Sequence, residues 1–302
     1  MEQRRLSIIR NKLRDHIFAV TGLLALLVGL VTLLGLFLVL AIDGSSRLTW
    51  QFFTSYPSRF PEQAGILSAW VGTTLVMLVT ALTAVPLGVA AAVYLEEYAP
   101  KNWLTDLIEI NIANLAGVPS IVYGLMALGL FVYRLDLGAS ILTAGLTLAL
   151  LILPMVIIAT REAIRSVPIT IREAAYALGA TKWQTVNDHV LPYSTSGILT
   201  GMIIALSRAI GETAPLITIG ALSFIAFLPH PPWQPDFPYL SLQWLMDPFS
   251  VLPIQMFNWV SRPQAEFHLN AAAAGLILIG MTLAMNGLAI YIRIRFRKRV
   301  KW

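Results

Sequence analysis

Long uncharged runs, separated by short polar segments, dominate the polarity pattern of the chain. No charged residue falls within Ile17 to Ile42, Ile66 to Leu95, Ile110 to Tyr133, Leu137 to Thr160 or Leu269 to Ile292. A sixth run, from about Gly197 to Leu222, is interrupted only by Arg208 and Glu212. Each reaches the roughly 20 residues that a helix needs to cross the ~30 Å hydrocarbon layer of a bilayer. None alternates with a period of two, and all are too long for strands. The pattern predicts an all-α integral membrane protein with six transmembrane helices. The first run exceeds the roughly 7–15 residues of a signal-peptide core, and no small-residue cleavage site follows it, so it reads as a retained helix.

Composition supports that reading. Charged residues make up 12% of the 302 and hydrophobic ones 57%, where a soluble domain carries about 25% charged residues. The mean hydropathy is +0.73. A net charge of +5 could indicate nucleic acid, but the basic residues flank the apolar runs, where membrane topology accounts for them. With no cysteine in the chain, disulfides, thiolate metal sites and cysteine nucleophiles are excluded.

Six spans put both termini on one side. Sixteen Lys and Arg residues fall on that side, in segments 1–16, 101, 161–196 and 293–302, against four (Arg47, Arg59, Arg134, Arg262) on the other. Basic residues concentrate in cytoplasmic segments, so both termini are expected in the cytoplasm. The expected organisation is a basic N-terminus (1–16), a first transmembrane helix (17–42), a core of five further spans (66–292) and a basic tail (293–302). That core includes a cytoplasmic segment, 161–196, and a long outer loop, 223–268. The aromatic residues Trp233, Trp244 and Trp259 predict that parts of the outer loop lie along the membrane surface.

The cytoplasmic segment predicts two short helices. Ile171 to Leu178 is rich in Ala and Leu, which favour helix, and Gly179 supplies a free turn. A second helix is expected from about Lys182 to Val190, ended by Pro192. Such a pair suits the groove of a soluble partner, and equally a connector with none. Glu173, Ala174, Ala175, Gly179, Leu191 and Pro192 fall at the spacing E-A-A, three residues, G, eleven residues, L-P. This resembles the EAA loop of ABC importer permeases, except that His189 stands where that pattern has isoleucine. Ala116 to Leu125 and Ser207 to Pro215 resemble the third- and fifth-span motifs of phosphate permeases. Leu252 to Gln255, with Trp259 and Arg262-Pro263, resembles the PstA type.

The resemblance implies a type I importer bundle in which the segment around Glu173 docks on an ATPase. It also implies a PstC-type permease as heterodimer partner, two ATPase subunits and an extracytoplasmic phosphate-binding protein. A permease for another oxyanion, sulfate or molybdate, is the nearest alternative.

Polar residues at membrane depth are the remaining candidates. Arg208 and Glu212 are four apart, so on a helix they share a face, and a charge at the bilayer centre costs at least ~2.5–3.5 kcal/mol. They suit a transient counter-charge for a passing oxyanion, or a structural ion pair toward a partner subunit. Asn111 and Asn114 read as inter-helix hydrogen-bonding groups or as pathway residues, and Asn286 as an inter-helix bond. Gly117 and Pro119 predict a bend whose freed carbonyls must find donors; Pro86, Pro154 and Pro215 invite the same reading. Gly197 and Gly201 predict close helix packing. No G-x-x-x-x-G-K-[ST], H-E-x-x-H or G-x-S-x-G sequence occurs, so nucleotide hydrolysis belongs to another chain, and an intramembrane enzyme, a metal site or a cofactor is not indicated.

Overall fold

The computed structural model describes residues 2–233, 239 and 241–297. Among the described residues, every regular element is helical. Five helices are long and apolar enough to cross a membrane, and a bent pair makes a sixth candidate span.

The core is α3 (Leu67–Val93) against α6 (Ile141–Arg165), with α9 (Leu191–Ala209) also packed on α6 and touching α3. Small residues let these helices approach closely. A Cβ added at Gly145 would meet Val79 Cγ1 at 2.4 Å, and one at Gly201 would meet Ala159 Cβ at 2.3 Å. Gly197 sits likewise over Ala163, so the Gly197/Gly201 pair marks the α6 to α9 seam. Between lipid-solvated helices, association depends on packing of this kind rather than on a hydrophobic drive. Pro86 and Pro154 lie inside α3 and α6, which continue through them.

The candidate third span is a bent pair of helices. α4 (Trp103–Leu115) and the helix Ser120–Arg134 meet at 105°; the latter is α5 (Ser120–Ala127) prolonged by a π-helical stretch, Leu128–Arg134. Gly117 and Pro119 occupy the corner. Leu115 O accepts from Val118 N (3.1 Å) and from the Tyr123 hydroxyl (2.8 Å), so the buried phenol satisfies a carbonyl at the corner.

Two sequence expectations about elements change. The helix beginning at Lys182 does not stop at Pro192: α8 (Lys182–Thr185), a π turn (Val186–Val190) and α9 form one 28-residue run ending at Ala209. The backbone stays helical through Val190 and Leu191, and the wider π turn just ahead of Pro192, in which Leu191 N donates to Val186 O, accommodates the proline without a break. The fifth span therefore ends before Glu212 instead of at Leu222. After a break at 210–213, α10 (Ala214–Thr218) packs on α5.

The second change concerns segment 223–268. Trp259, on α11 (Leu252–Val260), is fully buried between Phe52 and Phe267 instead of lying at a membrane surface. Its indole N–H is satisfied by the amide oxygen of the buried Gln255 at 3.1 Å, and the Gln255 amide nitrogen donates to Ser223 O at 2.8 Å. Trp244 packs part-buried on the main core, and only Trp233 of the three is largely exposed. The same end of the bundle is tied by Arg47 and Asn270, which both donate to Pro61 O, with Arg47 Nε also donating to Asn270 Oδ1.

The final long helix is α12 (Ala265–Arg297), and α1 (Glu2–Ser45) meets it near the C-terminal end of α1. Every side chain from Arg10 to Val39 is exposed. A helix apolar on all faces needs lipid or another protein around it.

Candidate functional site

Two helix breaks meet at one place. α5, just past the corner at 116–119, packs on α10, just past the break at 210–213. The backbones are so close that a Cβ on Gly124 would stand 1.9 Å from Thr218 Oγ1 and 2.6 Å from Pro215 Cα. Arg208 lies in the last turn of α9, and Glu212 follows the helix end. Arg208 Nε is 3.4 Å from Glu212 Oε1, and Arg208 Nη1 is 3.3 Å from Met155 Sδ on α6. The Arg208 side chain is 39% exposed and that of Glu212 18%, so the guanidinium keeps donors free toward the open side. Beside it, Ser207 Oγ lies 2.7 Å from Asn286 Oδ1, which joins α9 to α12 as expected for Asn286. With Nε and Nη1 engaged and Nη2 remaining, the part-exposed guanidinium can still donate to an oxyanion and release it again.

Asn111 and Asn114 are not drawn into that group of contacts. Both are exposed on α4, and Asn111 Nδ2 donates to Leu107 O of its own helix at 2.7 Å, so it makes no inter-helix bond there.

The segment resembling an EAA loop is built as a compact turn. α7 (Ile169–Ala177) ends in a Schellman arrangement: Ala180 N donates to Ala175 O and Gly179 N to Tyr176 O, with Gly179 at φ +84°. Thr181 then caps α8 in a capping box with Gln184. Ala175 is buried and Ile171 packs with Val93, Ile164, Val167 and Val190, which seats α7 on the bundle. The opposite face is open: Glu173, Ala174, Tyr176 and Gly179 are exposed, and Leu178 is 89% exposed. A Cβ on Gly179 would meet nothing within 4 Å. Leu191 and Pro192 lie half-buried at the start of α9.

Charges that sequence reasoning treated only as topology signals converge beneath this turn. Glu96, on the π turn Tyr94–Tyr98 that closes α3, accepts from Arg165 Nε at 2.9 Å and lies 3.4 Å from Arg161 Nε. Arg161, with a side chain 8% exposed, also contacts Glu109 of α4. The adjacent Glu97 pairs with Arg172 of α7. The available signal was Glu96-Glu97 at the end of an apolar run, on the side where basic residues accumulate; its partners lie 65 or more residues away.

The chain is similar to known transport proteins. The family described as "Binding-protein-dependent transport system inner membrane component" matches residues 84–300. The chain is 34% identical over 273 residues to the "Probable ABC transporter permease protein YqgI" of Bacillus subtilis (strain 168), covering 89% of this chain and 91% of that protein. It is 33% identical over 301 residues to the "Phosphate transport system permease protein PstA" of Yersinia pestis, covering 99% and 95%. The protein of the same description from Mycobacterium leprae (strain TN) is 36% identical over 219 residues, 70% of each chain. Among solved structures, a chain of the inward-facing MetNI methionine ABC transporter superposes with a TM-score of 0.54 at 16% identity, covering 77% of this chain and 94% of that one. That likeness is one of fold.

Proposed function

Because this chain belongs to the family of binding-protein-dependent transport system inner membrane components, we propose that it is a permease subunit of an ATP-driven importer for inorganic phosphate. It is a multi-pass membrane protein that catalyses no reaction itself; hydrolysis of ATP belongs to a separate subunit of the assembly, and a binding protein delivers the substrate. The single observation that carries the substrate is the similarity to a phosphate permease along 99% of the chain.

In this reading both termini and the turn at 166–181 face the cytoplasm, and the end holding Trp259 and Pro61 faces outward. A PstC-type permease completes the pathway, and two ATPase subunits dock below. Glu173, Ala174 and Gly179 form the contact with one ATPase; Ala175, expected from sequence to share it, is buried against the bundle and seats α7 instead, with Leu191 and Pro192 bracing the turn. Along the pathway Arg208 is a passing counter-charge for phosphate. Glu212 competes for the same guanidinium, so the anion is held weakly enough to leave. Asn111 and Asn114 add polar groups on the limb before the corner at Pro119. Binding-protein selectivity then sets the substrate, and the permease needs few polar contacts of its own.

The test is the ATPase rate of the purified complex in lipid nanodiscs. Phosphate-loaded binding protein is expected to stimulate hydrolysis severalfold over the sulfate-treated or molybdate-treated protein. Equal stimulation by one of those oxyanions would move the substrate, and no response to any loaded binding protein would remove the importer reading.

A further inference from the structure

We propose that Arg172 and Glu97 are positioning residues that fasten the docking helix α7 to the end of the second span, so that movement of the ATPase is passed into the bundle. This inference rests on the importer reading above. Arg172 directly precedes Glu173 in the chain, yet its side chain turns away from the exposed face and inward. Its Nη2 and Nε donate to Glu97 Oε1 at 2.8 and 3.1 Å. Its Nη1 donates to Val167 O at 2.8 Å and Nη2 to Ile164 O at 3.1 Å. One guanidinium thus joins three elements: α7 that bears it, the end of α6 through Ile164 O with Val167 O just beyond it, and the π turn that closes α3. The last carbonyls of a helix lack intrahelical donors, and a guanidinium can satisfy them.

Burial makes the pair more than a surface contact. Glu97 is 7% exposed at its side chain and Arg172 17%, and a buried carboxylate is retained only with a charged or hydrogen-bonding partner. Lysine could supply the charge but not a planar fork reaching two carbonyls and a carboxylate together. The neighbouring Glu96 points to Arg165 and Arg161, and Arg161 reaches Glu109 on α4. Adjacent carboxylates of one π turn therefore hold the docking helix on one side and the limb leading to the broken third span on the other. The open face of α7 contributes nothing to this clamp, and Ile171 remains packed against Ile164, Val167 and Val190. Removing the clamp leaves both the seat of α7 and its docking surface in place.

The experiment measures phosphate imported per ATP hydrolysed in proteoliposomes holding the whole complex, for wild type, Glu97→Gln and Arg172→Lys. Glu97→Gln keeps the size of the side chain and removes its charge; Arg172→Lys keeps the charge and gives up the carbonyl bonds. The expected result is a roughly tenfold fall in the ratio for both variants, within the span of site-to-site couplings. The ATPase subunits should copurify in wild-type stoichiometry. A wild-type ratio in both variants would overturn the proposal, as would loss of the assembled complex in both, which would make the pair a folding element only. Failure of the wild-type complex to import phosphate would strike the importer reading instead.

Discussion

Arg208 sits in the last turn of α9, where the helix carbonyl ends favour a cation, while membrane depth disfavours one. Glu212 offsets part of that cost, and because Glu212 lies beyond the helix end the pair is not locked face to face along a rigid cylinder. A charge-assisted hydrogen bond contributes about 1.5–3 kcal/mol, so Arg208→Gln is expected to lower phosphate uptake by one to two orders of magnitude in a complex that still assembles. Glu212→Ala is expected to lose uptake too, through an anion held too tightly or an arginine out of place. Gel filtration of each variant complex separates the alternatives: unassembled subunits would make the pair an interface brace. The i, i+4 spacing made this pair legible in the sequence. Glu96, Glu97 and Glu109 were not legible, because each acquires meaning only from arginines that folding brings from α6 and α7.

At the scale of elements, the apolar runs located the long helices, since lipid leaves a spanning backbone few other choices. The corner in the third span was legible from Gly117 and Pro119. What ran counter to local signals was set by packing. A π turn at Val186–Val190 lies directly ahead of Pro192 and accommodates it, so the run from Lys182 is not ended. Trp259 found Gln255 as a partner and went into the core. The turn between α7 and α8 gives the sharpest prediction at this scale. Gly179 has φ +84° and open space around it, so strain rather than crowding decides what it tolerates. A β-branched residue in the left-handed region costs roughly 1–2 kcal/mol, whereas asparagine is accepted there. Gly179→Val is expected to weaken ATPase copurification severalfold and Gly179→Asn to retain most of it, with membrane insertion unchanged in both. Full copurification of the valine variant would separate this turn from docking.

The whole molecule reads as one part of a larger assembly. From Arg10 to Val39 every side chain of α1 is exposed among the described residues, the guanidinium of Arg208 is part-exposed, and the apolar tip at Tyr176 and Leu178 is exposed at the end of the bundle that carries the clamp. Each is expensive or idle in an isolated subunit and sensible in a complex with lipid, a second permease and an ATPase. The proposed sidedness, with the termini in the cytoplasm, rests on sixteen basic residues against four, and it belongs in the decisive measurement. Radiolabelled phosphate uptake is followed in proteoliposomes containing this chain, the PstC-type permease proposed as its partner and an ATPase, with ATP enclosed and phosphate-binding protein outside. Accumulation is expected to require every component, to persist against excess sulfate and molybdate, and to disappear when ATP and binding protein exchange sides. An assembled complex that hydrolyses ATP yet accumulates no phosphate would contradict the importer reading.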